Sequence, residues 1–263
     1  MIQGKAKNVI SLAHTQARRS GEMSRVSPKS AMVLTAGLGK RMRPLTAVSP
    51  KPLIEVHGKP ILEYGLNRLQ AAGVQKAVLN AHYLPDQIEA YAERYSGLDM
   101  VVSDERKELL DTGGGTKHAL PLLGNDPFYL LNGDSFWIEG ARPNLAWLSE
   151  SWDDETMDML LLLSPTVGAV GYDGIGDFMF GPGGELQRRP EKRIAPYVYA
   201  GGAIIHPRVF DKSPTGAFSL NVLFDDLIET GRLHGVRMDG TWLHVGTPQA
   251  VRDAEFAIGE SAA

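Results

Sequence analysis

Cysteine is absent from the chain. Disulfides, thiolate nucleophiles, Cys-ligated zinc and iron–sulfur clusters are thereby excluded, and a reducing, cytoplasmic setting is the expectation. No apolar run reaches the roughly 20 residues that a membrane helix needs. The longest candidate, residues 157–163, is strand-sized. An excess of positive charge is lacking too: 27 Lys and Arg stand against 31 Asp and Glu, a net charge of −4. No overall basic field therefore points to nucleic acid. Internal repeats are missing, the hexapeptide repeat of an attached β-helix included. Neither a membrane nor a nucleic acid is expected as a partner, and the sequence is compatible with a monomer or a homodimer.

What remains is ordinary for a globular chain: 263 residues, 43% hydrophobic and 22% charged. That suits one large α/β domain. The charge is uneven. Residues 1–30 carry +5, from Lys5, Lys7, Arg18, Arg19, Arg25 and Lys29 against Glu22, and the rest carries −9. With weak periodicity and no apolar h-region, this stretch reads as a disordered basic tail that activity does not need. The folded part is expected to be a single domain over 31–263, with halves at 31–150 and 151–263.

Residues 31–35 (AMVLT) form a short apolar run ending in a glycine-rich turn, as a buried first strand does. Pro60 opens a helical pattern that Gly73 ends. Strands are expected at 76–80, 100–103 and 128–132, with helices at 85–95 and 112–123. This alternation implies a mostly parallel sheet with helices on both faces. Further strands are expected at 157–163, 197–205, 236–238 and 242–245, and helices at 220–230 and 248–258. Residues 164–196, rich in Gly, Pro and charge, read as a small lid built on the sheet.

The chemistry-bearing segment is Leu34-Thr35-Ala36-Gly37-Leu38-Gly39-Lys40-Arg41-Met42-Arg43-Pro44-Leu45-Thr46. Glycines after a strand let backbone N–H groups approach an anion, and three cationic side chains stand beside them. A P-loop pattern is absent. A dinucleotide fingerprint needs a glycine where Met42 stands, and Glu55 alone is a weak ribose-binding acid. Ser49-Pro50-Lys51-Pro52-Leu53 follows. A lysine between two prolines is expected on a stiff, extended backbone, with its ammonium turned into a cleft.

Together these motifs resemble the sugar-1-phosphate nucleotidyltransferase family, whose signature is close to G-x-G-x-R-x-x-P-L-T followed by P-K-P-L. The resemblance runs over about residues 31–256 and takes in Asp111-Thr112-Gly113-Gly114-Gly115, Leu131-Asn132-Gly133-Asp134, Tyr199-Ala200-Gly201-Gly202 and Trp242-Leu243-His244-Val245-Gly246-Thr247. Within the family the chain is similar to the short enzymes that join UTP to N-acetylmuramate 1-phosphate in peptidoglycan recycling, and next to mannose-1-phosphate guanylyltransferase-like members. The resemblance implies a Rossmann-like, GT-A-like α/β fold with a sugar-binding lid. It implies an enzyme that makes a nucleotide sugar and pyrophosphate from a nucleoside triphosphate and a sugar 1-phosphate.

The residue roles implied by the resemblance are as follows. Arg41 and Lys51 handle the reacting phosphates. Ala36, Gly37 and Gly39, with Asn80, Thr112 and Gly113 on the base side, bind the nucleotide; Glu105 is a weaker candidate there. Asp177, Glu191, Lys192, Tyr199 and Gly201 face the sugar. Asp134 holds Mg2+, or Mn2+, with His244 as its partner. His244 departs from the family, which has an acid or Asn there, and imidazole suits Mg2+ less well than oxygen does. A non-catalytic nucleotide-sugar sensor is the competing reading of that departure.

Overall fold

The computed structural model describes residues 26–262; the expected basic tail lies, up to residue 25, outside the described residues. In β1 (Ser30–Leu34), Ala31, Met32 and Val33 are fully buried, so the strand has no solvent face and takes a central place. The chain then makes three single 3-10 turns, Lys40–Met42, Leu45–Ala47 and Lys51–Leu53, and a small hairpin of β2 (Glu55–Val56) and β3 (Lys59–Pro60). α1 (Ile61–Ala71) starts behind Pro60 and closes at Gly73, φ 80°. Then come β4 (Lys76–Ala81), α2 (Pro85–Arg94), β5 (Asp99–Asp104), α3 (Asp111–Leu123) and β6 (Phe128–Asn132).

These four strands are parallel neighbours in the order β5-β4-β1-β6. The chain winds outward from β1 to β5 and comes back on the other side with β6. The carboxyl ends of β1 and β6 thus flank a switch point, where open α/β sheets leave a crevice.

The second half contributes β7 (Ser135–Glu139), α4 (Asn144–Ser151), β8 (Met159–Pro165), β9 (Phe178–Phe180), β10 (Leu186–Arg188), β11 (Tyr197–Ile205), α5 (Leu220–Glu229), β12 (Leu233–Arg237), β13 (Gly240–His244) and α6 (Pro248–Ala262). β11 runs antiparallel between β6 and β8, and β12 extends the edge parallel to β8. The register of β11 shifts between Tyr199 and Ala203, with Gly201 at φ 80°. This irregularity bends the strand away from the central sheet, and beyond it Tyr197 meets Phe178 of the β9–β10 lid ribbon.

Helices cover both faces. α1, α2 and α4 pack Leu66, Ile88 and Leu148 onto one side, while α3 and α5 pack Ala119, Leu223 and Phe224 onto the other. β7 and β13 pair antiparallel outside the main sheet, and α6 closes over them with Val251 and Ala254 against Leu243. β7 and α4 go beyond the sequence expectation, which placed no element between residues 134 and 157. Two expected strands also shift toward the amino end, to Leu233–Arg237 and Gly240–His244.

Candidate active site

The glycine-rich loop is shaped by a few contacts. Gly39 sits at φ 58°, and a Cβ there would lie 2.8 Å from Thr46 Cγ2 and 3.2 Å from Lys51 Cβ. Only glycine allows both the left-handed backbone and the close approach. Thr46 Oγ1 donates to Gly39 O at 2.8 Å, Tyr83 Oη donates to Thr46 O at 2.7 Å, and the Gln87 amide donates to Val48 O at 2.9 Å. The loop is thereby tied to the start of α2. A Cβ on Gly37 would meet nothing within 4 Å, because this residue borders an open cleft. Ala36 is buried behind it. Arg41 is exposed at the cleft and forms no ion pair among the described residues.

Lys51 corrects one expectation. Pro50 is extended (φ −64°, ψ 144°), but Lys51 itself opens a 3-10 turn, closed by the Leu53 N–H donating to Pro50 O at 2.9 Å. The prolines fix the entry to the turn, and its curl sends the side chain inward. The Lys51 side chain is 8% exposed, and its Nζ lies 2.8 Å from Asp134 Oδ2. Asp134 stands in the two-residue turn between β6 and β7, with its side chain 39% exposed. Burial would raise its pKa, but the attraction and hydrogen bond of Lys51 outweigh that and hold the carboxyl below its usual range.

His244 ends β13, directly opposite Ser135 in the β7–β13 ladder and so beside Asp134. Burial lowers its pKa; Asp134 pulls it back, and Lys51 and Arg41 push it further down. The imidazole is neutral at pH 7. The cleft between these groups holds about 200 Å3 and is lined by Gly37, Gly39, Arg41, Lys51, Asp134 and Gly246 among others. Two cations and a carboxylate thus meet at the carboxyl ends of β1 and β6.

Among the described residues no three His, Asp or Glu side chains converge into a metal cage. Asp134 and His244 are nevertheless adjacent donors, and the carboxylate already takes one cation, the Lys51 ammonium. A solvent-facing carboxylate of this kind suits a hard divalent ion that takes its other ligands from phosphate and water.

The base side is more crowded than expected. Asn80 is buried: its Oδ1 accepts the Thr35 N–H at 2.7 Å, and its Nδ2 donates to Glu105 Oε1 at 2.8 Å. Glu105 also accepts the Leu110 N–H at 3.2 Å. A Cβ on Gly115 would lie 2.5 Å from Glu105 Oε1, so α3 starts directly on this pair. Thr112 and Gly113 face elsewhere. Thr112 Oγ1 accepts the Leu220 N–H at 2.9 Å, and the N–H groups of Gly113 and Gly114 donate to Phe218 O at 2.8 and 3.0 Å. The expected base-contacting loop is the first turn of a helix, with Gly113 and Gly114 kept bare by residues 216–218 and Gly115 by Glu105 and Asn80.

On the lid, Asp177 is pinned to β11: its N–H donates to Tyr197 O at 2.7 Å, and its Oδ2 accepts the Tyr199 N–H at 3.1 Å. The Tyr199 ring packs edge-on against Phe224, and its buried hydroxyl has no partner among the described residues; burial pushes this phenol up. Glu191 and Lys192 are exposed on a turn closed by the Arg193 N–H and Pro190 O, away from the cleft lining. The structure does not bring them together with Arg41, Lys51 and Asp134.

Tyr172 was missed by sequence reasoning. Its ring stands edge-on to His244 at 6.1 Å, and its hydroxyl accepts the Gly176 N–H at 3.0 Å. The segment before it pairs with β13, Val170 beside Leu243. The signal in the sequence was the glycine spacing of Gly171-Tyr172-Asp173-Gly174-Ile175-Gly176, which marks tight backbone turns around one aromatic ring.

Comparison with known proteins bears on the family and the fold. The profile of the MobA-like NTP transferase domain matches residues 31–155. The chain is 45% identical over 239 residues to N-acetylmuramate alpha-1-phosphate uridylyltransferase of Caulobacter vibrioides, covering 89% of this chain and 99% of that one. The chain belongs to the sugar-1-phosphate nucleotidyltransferase family. The enzyme of the same name from Neisseria meningitidis serogroup B is 31% identical, covering 87% of this chain and 98% of that one. A solved UDP-glucose pyrophosphorylase in complex with UDP-glucose superposes with a TM-score of 0.73 at 16% identity, covering 89% of this chain and 99% of that one, and confirms the fold of a nucleotidyltransferase. As a member of this family the chain is an enzyme of nucleotidyl transfer.

Proposed function

We propose that the enzyme joins UTP to N-acetylmuramate 1-phosphate, giving the UDP-sugar and pyrophosphate, as a cytoplasmic step of peptidoglycan recycling. The observation that carries this reading is the 45% identity to the Caulobacter vibrioides enzyme over nearly all of that protein. An oxygen of the sugar phosphate attacks the α-phosphorus in line, one P–O bond forms, and the bond to pyrophosphate breaks. The nucleophile is already an anion, so no general base is needed. The barrier lies in bringing anions together and in the charge that gathers on the leaving group.

The residues of the cleft answer that need. Arg41, exposed and without an ion pair among the described residues, offers a planar guanidinium to the triphosphate and then to the departing pyrophosphate. Lys51 brings an ammonium to the reacting phosphates from a turn fixed by two prolines. Gly37, with open space beside it, lets the phosphates approach the backbone. The Thr35–Asn80–Glu105 chain of hydrogen bonds, beneath Gly115, forms the floor on the base side. Asp134 and His244 would hold a divalent ion, Mg2+ or Mn2+, which when bound supplies neutralising charge to phosphate oxygens. Asp177, Tyr199 and Gly201 shape the sugar side where β11 bends into the lid.

The test crosses UTP, GTP, CTP and dTTP with the 1-phosphates of N-acetylmuramate, N-acetylglucosamine, mannose and glucose, and follows pyrophosphate. UTP with N-acetylmuramate 1-phosphate should give the highest kcat/KM. Clear preference for GTP with mannose 1-phosphate, or for any other pair, replaces this reading. Binding of nucleotide sugar without any pyrophosphate release would make the protein a sensor.

A further inference from the structure

Lys51 is placed where it neutralises the residue that should receive the metal. Its ammonium is 2.8 Å from Asp134 Oδ2, and it has no other acceptor among the described residues. The backbone beneath it is held: Pro50 and Pro52 flank it, the 3-10 turn closes over it, and Gly39 packs against its Cβ. Only the outer torsions of the side chain are left to move. They can carry the ammonium from Asp134 into the cleft bordered by Gly37, Gly39 and Arg41. An ammonium and a divalent ion on one carboxylate repel strongly in a partly desolvated site. One of them has to leave.

We propose that Lys51 is an exchangeable latch on Asp134: it closes the carboxylate to free divalent ions, and the triphosphate draws it away, so that nucleotide and ion are admitted together. Arg41, exposed and without a counter-ion among the described residues, is the cation that meets the triphosphate first. This inference rests on the proposed role of Asp134 in holding the ion.

The experiment measures Mn2+ binding without nucleotide, from the EPR signal of the free ion, for wild type, Lys51→Met, Lys51→Gln and Asp134→Asn. Thermal melts confirm that each is folded, and Lys51→Met keeps the buried stem should Lys51→Gln prove unstable. Removing the latch should tighten Mn2+ binding about tenfold, the scale of one charge contact in a half-buried site, and Asp134→Asn should abolish it. Reductive methylation of Lys51, followed by mass spectrometry, should be faster in Asp134→Asn than in wild type. Equal or weaker Mn2+ affinity in the folded Lys51 variants, or unchanged methylation in Asp134→Asn, overturns the latch. Undiminished Mn2+ binding by Asp134→Asn overturns instead the assignment of the ion to that carboxylate.

Discussion

Arg41 and His244 are near each other in the cleft but make opposite demands on the fold. Arg41 is exposed and makes no ion pair among the described residues, so its removal costs the folded state little. Arg41→Ala should shift stability by no more than about 0.5 kcal/mol, while kcat/KM falls on the order of a thousandfold because pyrophosphate leaves without its counter-charge. A thermal melt beside a pyrophosphate-release assay reads both. His244 is half-buried, and burial together with Lys51 and Arg41 holds it neutral. Its folded pKa lies below the unfolded value of about 6.5, so the unfolded chain takes up a proton first as pH falls. Its contribution to stability is complete above that value and is lost below it. Denaturant melts of wild type and His244→Asn at pH 7.5 and pH 5.5 should show wild type losing more stability on acidification. Equal losses would mean that the imidazole is not depressed. With His244→Asp, a second oxygen donor replaces imidazole, and turnover should rise with Mg2+ relative to Mn2+. The residues of this cleft could be read from the sequence because phosphate chemistry demands particular side chains at fixed spacing. The environment of His244 could not, because Tyr172 and Asp173 reach it only through folding.

At the scale of elements, two glycines of similar appearance in sequence have different duties. Gly37 borders the cleft and has open space where a Cβ would go. Gly114 begins α3, and a Cβ there would run into the carbonyl oxygen of Gly216. Gly37→Ala should therefore fold like wild type but raise the KM for nucleotide. Gly114→Ala should destabilise by about 2 kcal/mol through overpacking against backbone that cannot yield. Urea unfolding and steady-state kinetics on both variants check the contrast, which fails if both lose the same stability. The glycine triplet suggests a ligand loop when read alone; its packing partner lies about a hundred residues later in the chain and no local pattern announces it. The same limit hid β7 and α4. β7 follows β6 after only Gly133 and Asp134 yet leaves the sheet to pair with β13, a change of partner that periodicity cannot show. α4 has eight residues, too few for a helical repeat to stand out. β11, a nine-residue apolar run, is where the sequence places it, at Tyr197–Ile205.

For the whole molecule, the question is what holds the added strands to one another. At the edge opposite the cleft, Asp158 stands just before β8 with its side chain 14% exposed. Arg232, leading into β12, donates through Nε at 2.7 Å and Nη2 at 2.9 Å, and Arg208, from the 3-10 turn after β11, donates through Nε. One carboxylate thus joins the starts of β8 and β12 to the end of β11. Burial would raise its pKa, but the two guanidiniums outweigh that and hold it below the usual value. Asp158→Asn takes the carboxylate from Arg232 and leaves Arg208 only the exposed Asp154, 3.1 Å from its Nη2, and should cost about 2 kcal/mol at pH 7, below the toll of breaking a fully buried pair because the arginines keep some solvent. The sign with pH follows from the lowered carboxyl. The stability it supplies is complete above the unfolded value of about 3.9 and disappears as pH falls through the folded one. Urea melts should show wild type and Asp158→Asn far apart at pH 7 and converging toward pH 3. Turnover at 25 °C should stay at the wild-type level, since the clamp is at the amino ends of the parallel strands and the reaction at their carboxyl ends. A variant that keeps its stability but loses activity would mean that the clamp serves the cleft and not the joint between the strands.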